Sequence, residues 1–127
     1  LENIGKLILR VAMGGMMLTH GWPKVEKLLA GGEIKFADPL GLGPEISLVL
    51  VVFAEFVCSM LIILGFKTKL ASIPLIITML VAAFIAHGDD PFSSKEKALM
   101  YAVAFLAIGL IGSGKYSVDY RTDKYQQ

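Results

Sequence analysis

The sequence predicts an all-α fold: one domain, residues 1–127, built as a transmembrane four-helix bundle with both termini on the inner side. Three observations carry this reading. Apolar residues fall in long blocks, charges crowd between the blocks, and the middle blocks have no polar face. Hydrophobic residues make up 55% of the 127 residues and charged residues 18%, against roughly 45–50% and about 25% in soluble domains. Composition alone would also suit an unusually apolar soluble protein. Within Leu75–Ile85, however, only Thr78 relieves an all-round apolar surface, whereas a helix of a soluble bundle backs its apolar stripe with a polar face.

The first helix is expected over about residues 4–21, interrupted by Lys6 and Arg10. The second is expected over 46–66, with Glu55 as its one charge, and the third over 70–87, uncharged up to His87. The fourth is expected over 97–114. A hydrocarbon core of about 30 Å takes roughly 20 helical residues. Block four reaches that length only if it extends through Lys97 at one end and toward Tyr116 at the other.

The connections fit the same count. Residues 22–45 hold Pro23, Gly31, Gly32, Pro39, Gly41, Gly43 and Pro44 among several charges, and read as a loop. Trp22 beside Pro23 suits a membrane–water boundary. Gly65 to Lys69 reads as a tight turn, so blocks two and three form a helical hairpin. His87 to Lys97 is the third connection. Pro74 sits near the start of block three, where a missing amide donor is tolerated.

Orientation follows from basic residues in short loops. With the N-terminus inside, the inner segments hold Lys6, Lys67, Lys69, Lys115, Arg121 and Lys124, and the outer ones Lys24, Lys27, Lys35, Lys95 and Lys97. The counts nearly tie. The turn Phe66-Lys67-Thr68-Lys69 is basic without any acid, and that favours both termini inside. The first block lacks a cleavage pattern, so no removable leader is expected. The chain opens at Leu1 rather than Met, which reads as a few preceding residues.

Several function classes drop out. A net charge of +1 argues against a nucleic-acid partner, which needs a concentrated basic face. The lone Cys58 forms no internal disulfide and excludes a Cys-X-X-Cys mechanism within this chain. No phosphate-binding glycine loop, Ser–His–Asp arrangement or metal-spaced cluster is present. The short run His87-Gly88-Asp89-Asp90 reads as a solvated loop.

Ionisable groups inside a span need protein, water or a partner. Arg10 and Glu55 are expected to pair between helices one and two, since a guanidinium fork suits a carboxylate. His20 ends block one and His87 ends block three. With Lys24, Glu96 and, a turn deeper, Tyr101, antiparallel threading gathers them into one outer layer. Three chemistries are open to that layer. His20 and His87 would serve as haem ligands from two helices, but two histidines in four helices also meet by chance. A histidine and a carboxylate would hold a quinone headgroup and handle its protons. A polar plug capping the bundle is the bland alternative.

The residues resemble the DoxX family of small bacterial membrane proteins. The resemblance rests on Arg10 early in helix one, on Thr19-His20-Gly21-Trp22-Pro23-Lys24 and on Phe36-Ala37. Glu55, the turn Gly65-Phe66-Lys67-Thr68-Lys69, His87, Glu96 and Gly112-x-Gly114-Lys115-x-Ser117-Val118-Asp119 complete it. The turn carries lysine where the family usually has arginine. The resemblance covers about Leu7 to Asp119 and implies a multi-pass, four-helix protein of the bacterial inner membrane, in a family named for subunits of quinone-linked oxidase systems. It carries over Arg10, His20, Lys24, Glu55, His87 and Glu96 as polar positions.

The leading expectation is a redox-associated accessory subunit that binds a quinone-like or other small ligand within the bundle. Glu55 and His87 would handle protons, with Arg10 as counter-ion and His20, Lys24, Glu96 and Tyr101 lining the site. The alternatives are a non-catalytic anchor or assembly module for a partner enzyme, and small-molecule or proton transport by a homo-oligomer.

Overall fold

The structure is a computed structural model that describes residues 1–122. Lys124, counted above among the inner basic residues, lies outside the described residues. The described chain is all helical: α1 Glu2–Leu29, α2 Pro44–Leu64, α3 Thr68–Ala86, α4 Phe92–Ile111 and a short α5 Val118–Thr122. Helix α1 packs along α2, α3 packs along α4, and α1 also touches α4.

Two helices, α2 and α3, are long and apolar enough to cross a membrane. The polarity of the fold is inverted relative to a soluble protein. Ile46, Val49, Phe53, Ile73, Ile77 and Phe84 point outward, while Arg10, Glu55, Ser59, Thr68 and Ser72 are buried. Exposed apolar side chains continue over α1 and α4, at Ile8, Val11, Val103, Leu106 and Leu110. An outer surface of this kind suits lipid, which needs no polar face. The core between the helices holds Met17, Cys58, Ile62, Leu75, Tyr101, Phe105 and Ile108.

Helix α1 runs well past the expected end at 21 and carries Pro23 inside it. Proline there supplies no amide to the Thr19 carbonyl, a cost that other contacts offset. Lys24 bonds to Glu55, Lys27 donates to the Lys35 carbonyl at 3.2 Å, and the same ammonium lies over the Phe36 ring. These contacts hold the last turns of α1 against α2 and the 30–43 loop. Helix α4 is shifted in the opposite sense, starting at Phe92 and ending at Ile111, where Gly112 takes a φ of 83° and turns the chain.

Asp38 organises the entry to α2. Its carboxylate accepts the Leu42 amide at 2.8 Å, the Gly43 amide at 2.9 Å and the Ser47 hydroxyl at 3.0 Å, tying the loop that enters α2 to the helix's first turn. Desolvation pulls its pKa upward, but the bonds from Gly43, Ser47, Leu42 and Gly41 outweigh that and hold it below the ordinary value. A depressed native pKa stabilises above the unfolded value and is lost as pH falls through the native one. Amide exchange at Leu42 and Gly43 should therefore stay flat from pH 8 to 5 once corrected for intrinsic rates, and lose protection below about pH 4. Asp38→Ala should remove that protection at every pH.

At the opposite end the chain ties itself together. Gly65 closes α2 at a φ of 73°, and its carbonyl accepts the Asp119 amide at 2.9 Å. Asn3 accepts the Lys115 amide at 3.0 Å. The N-terminus, the α2–α3 turn and the segment 112–122 thus share one end. The α1 terminus and the α3–α4 connection share the other.

Candidate functional site

The expected Arg10–Glu55 pair does not form. Arg10 is buried at 1% exposure, but its Nη1 donates to the Ile62 and Ile63 carbonyls at 3.2 and 3.1 Å and its Nη2 donates to the Tyr116 carbonyl. The register explains the change. A β-carbon on Gly14 would meet Ser59 O at 3.1 Å, and one on Gly21 would meet Glu55 O at 2.6 Å. So Glu55 lies level with Gly21, and Arg10 lies about 16 Å away along α1 at 1.5 Å per residue.

Glu55 pairs instead with Lys24, Nζ to Oε1 at 2.6 Å, with side-chain exposures of 5% for Glu55 and 30% for Lys24. The longer α1 makes this contact available, since Lys24 sits a turn beyond Gly21. Close approach of the backbones at Gly21 is required, because the β-carbon of any other residue would strike the α2 main chain. Gly21→Ala should push the helices apart and cost about 1–3 kcal/mol of stability by overpacking, read in detergent-titrated unfolding. Gly15→Ala, with nothing within 4 Å, should be neutral or slightly stabilising.

Two cavities meet at this pair. One, of about 280 Å³, is the more polar of the two and lies between α1, α3 and α4; Met17, His20, Lys24, Glu55, His87, Lys97 and Tyr101 are among its lining residues. Helical spacing puts Met17, His20 and Lys24 on one face of α1, and Ser94, Lys97 and Tyr101 on one face of α4. The other cavity, of about 510 Å³, is largely apolar and lies between α2 and α3 under Phe36, Ala37 and Pro39. Lys24, Glu55, Ala82 and His87 line both.

Glu55 lies within one widened turn and His87 directly follows another. Helix α2 winds wide over Phe53–Cys58, around Glu55, and α3 winds wide over Ala82–Ala86, just before His87. The His87 amide reaches back to the Ala82 carbonyl at 3.0 Å. Such insertions shift the facing of the residues beyond them and are frequent at functional sites.

The other expected residues are placed as follows. Tyr101 is buried, stacks on Phe105 and meets the His20 ring edge-on at 5.6 Å between centroids. His87 is exposed, with Nδ1 2.8 Å from Asp90 Oδ2. Glu96 does not join the layer. It is exposed on α4 and lines neither cavity; Ser94 and Lys97, themselves exposed, line the smaller cavity in its place. Sequence reasoning passed over both, although their i, i+3 spacing toward Tyr101 was the available signal. Among the described residues no group of three or more His, Cys, Asp or Glu side chains converges as a metal site.

The fold and the site together define a helical membrane protein with a half-buried ion pair between two interhelical cavities. The DoxX family profile matches residues 5–88, and the chain belongs to that family. Over 125 residues it is 29% identical to the inner membrane protein YqjF of Escherichia coli (strain K12), covering 94% of this chain and 92% of that protein. No solved structure matches. The protein is a multi-pass protein of the bacterial inner membrane. The family match spans Arg10, His20, Lys24, Glu55 and His87, and ends before Glu96 and the Gly112–Asp119 segment.

Proposed function

We propose that this protein is a redox-associated membrane subunit that binds a quinone-like molecule, within a bundle whose four long helices all span the bilayer with both termini inside. The observation that carries the reading is the half-buried Lys24–Glu55 pair standing between a smaller, more polar cavity and a larger apolar one. A ligand with a flat carbonyl-bearing head and an apolar tail matches that pair of spaces. The head would lie against Lys24, His20 and Tyr101, and the tail beside Leu50, Val51, Ile77 and Val81. Lys24 takes the counter-ion role first expected of Arg10. Glu55, held by one lysine, and His87, at the shared wall with an acidic neighbour, are the groups placed to accept and return protons.

Both termini inside agrees with the gathering of Lys6, Lys67, Lys69 and Lys115 at the end shared by the N-terminus and the 112–122 segment.

The test is binding of short-tail ubiquinone and menaquinone analogues to the purified protein in nanodiscs. Saturable binding that weakens at least tenfold in Glu55→Ala is expected. Absent saturable binding, or equal binding by Glu55→Ala, would favour the anchor reading, in which the pair only joins helices.

A further inference from the structure

We propose that the end opposite the Lys24–Glu55 pair carries a second binding site, one that takes a phosphate group. It does not depend on the quinone reading, since it shares no residue with either cavity described above.

The site is a cavity of about 290 Å³ between the start of α3 and the link from α4 to α5, lined by Lys67, Thr68, Lys69, Leu70, Ser113 and Asp119, with Gly112. Three features make it an anion site. The first turn of α3 opens onto it. Its Lys69 and Leu70 amides have no intrahelical partner, and a helix start favours negative charge. Two lysines flank that turn, and neither ammonium has an ion-pair partner among the described residues. The Lys67 ammonium lies over the Phe66 ring at 5.7 Å.

The third feature points to a ligand directly. Thr68 lines the cavity at 1% exposure, and its hydroxyl has no hydrogen-bond partner among the described residues. A buried hydroxyl left unpaired is costly, and rotation of the Thr68 side chain toward the cavity would let a phosphate oxygen supply the missing partner. Ser113, also in the lining, carries a second hydroxyl.

Asp119 is the one group of opposing sign at the site. Its two oxygens are already committed, Oδ1 to the Lys67 amide at 2.7 Å and Oδ2 to the Thr68 amide at 3.1 Å. The Arg10 guanidinium, bonded to the Tyr116 carbonyl nearby, offsets its charge. Lys67 and Lys69 are therefore left in excess.

Phosphate at this place has two sources, a phospholipid headgroup or free phosphate. The surroundings fit the headgroup. Leu70, Ile73, Leu110 and Ile111 are exposed on the adjoining parts of α3 and α4, a path for acyl chains along the protein's outer surface. A polybasic edge of this kind attracts anionic lipid.

The experiment uses the full chain purified in a neutral detergent, with native mass spectrometry and thermal unfolding as readouts. The ligands are phosphatidylglycerol, phosphatidylcholine and inorganic phosphate. Saturable phosphatidylglycerol binding with a rise in Tm is expected, and Lys67→Gly and Lys69→Gln should each weaken it about fivefold. Lys67 has a φ of 49°, so glycine there relieves strain, and weaker binding by that variant cannot be put down to misfolding. Thr68→Val should weaken binding as well, while the distant Lys35→Gln should not. Inorganic phosphate protecting as well as the lipid would support the site with free phosphate as its ligand. Equal binding of phosphatidylcholine, or phosphatidylglycerol binding unchanged in both lysine variants, would overturn it.

Discussion

Replacing Arg10 by leucine is expected to cost the fold about 3–5 kcal/mol, a large share of the stability of a chain this size. The guanidinium binds three main-chain carbonyls on two separate parts of the chain. Ile62 keeps a partner without it, because the Gly65 amide also reaches that oxygen at 3.1 Å. Ile63 and Tyr116 lose theirs; a buried acceptor left unsatisfied costs about 1–3 kcal/mol, and these two, only partly buried, fall toward the lower end of that range. Asp119, 7% exposed, also loses the nearby positive charge. The Nε hydrogen of Arg10 is itself unpartnered, so the native arrangement is not perfect and the upper figure is a ceiling. Lysine at this position keeps the charge but offers a single donor head in place of a fork, and should recover about half of the loss. The measurement is reversible unfolding in mixed micelles followed by circular dichroism. A leucine variant within about 1 kcal/mol of the parent would show that the three bonds contribute little net energy.

Helices α2 and α3 were legible in the sequence because nothing competes with their apolar runs. The end of α1 was not, because Trp22-Pro23 is an ordinary boundary signal and the contacts that carry the helix through it are tertiary. Lys24 to Glu55 joins residues far apart in sequence, Lys27 to Phe36 bridges a loop, and no helix-period pattern announces either. The misplaced partner of Glu55 follows from the same error. A helix ending at residue 21 leaves Arg10 as the deepest cation available, while a helix that continues brings in a nearer one. The widened turns at Phe53–Cys58 and Ala82–Ala86 were equally hidden, since no residue type marks such a turn. The layer containing His20, Lys24, His87 and Tyr101 was legible as a level in the fold. Glu96 was placed in it because depth was argued without the facing of α4.

Arg10 and Lys24 divide the work that one arginine was expected to do. Arg10 fixes α1 against the α2 terminus and the 112–122 segment. With that end anchored, the close approach at Gly21 sets where α1 meets Glu55. A change at Arg10 should therefore reach the Lys24–Glu55 pair without touching it, through the register of α1 on α2.

Within the pair, the two single substitutions should be unequal, and the inequality separates a ligand site from a simple fastener. Glu55 is nearly sealed off while Lys24 keeps about a third of its surface. Removing the carboxylate with Glu55→Gln leaves a lysine that can turn its head outward, at a cost of about 1 kcal/mol. Lys24→Met leaves a buried carboxylate with no cation, which should cost about 3 kcal/mol or force the group to hold a proton. The double variant should be no less stable than Glu55→Gln by more than about 0.5 kcal/mol, giving a coupling within the 0.5–3 kcal/mol usual for contacting residues. Ligand binding should follow a different order. If Glu55 receives a proton or hydrogen bond from the bound head, the double variant is as defective in binding as either single variant, despite its recovered stability. If the pair only fastens α1 to α2, binding recovers in step with stability. Measuring unfolding and quinone-analogue affinity on the same four proteins decides between them, because one outcome makes the two quantities rise together and the other does not.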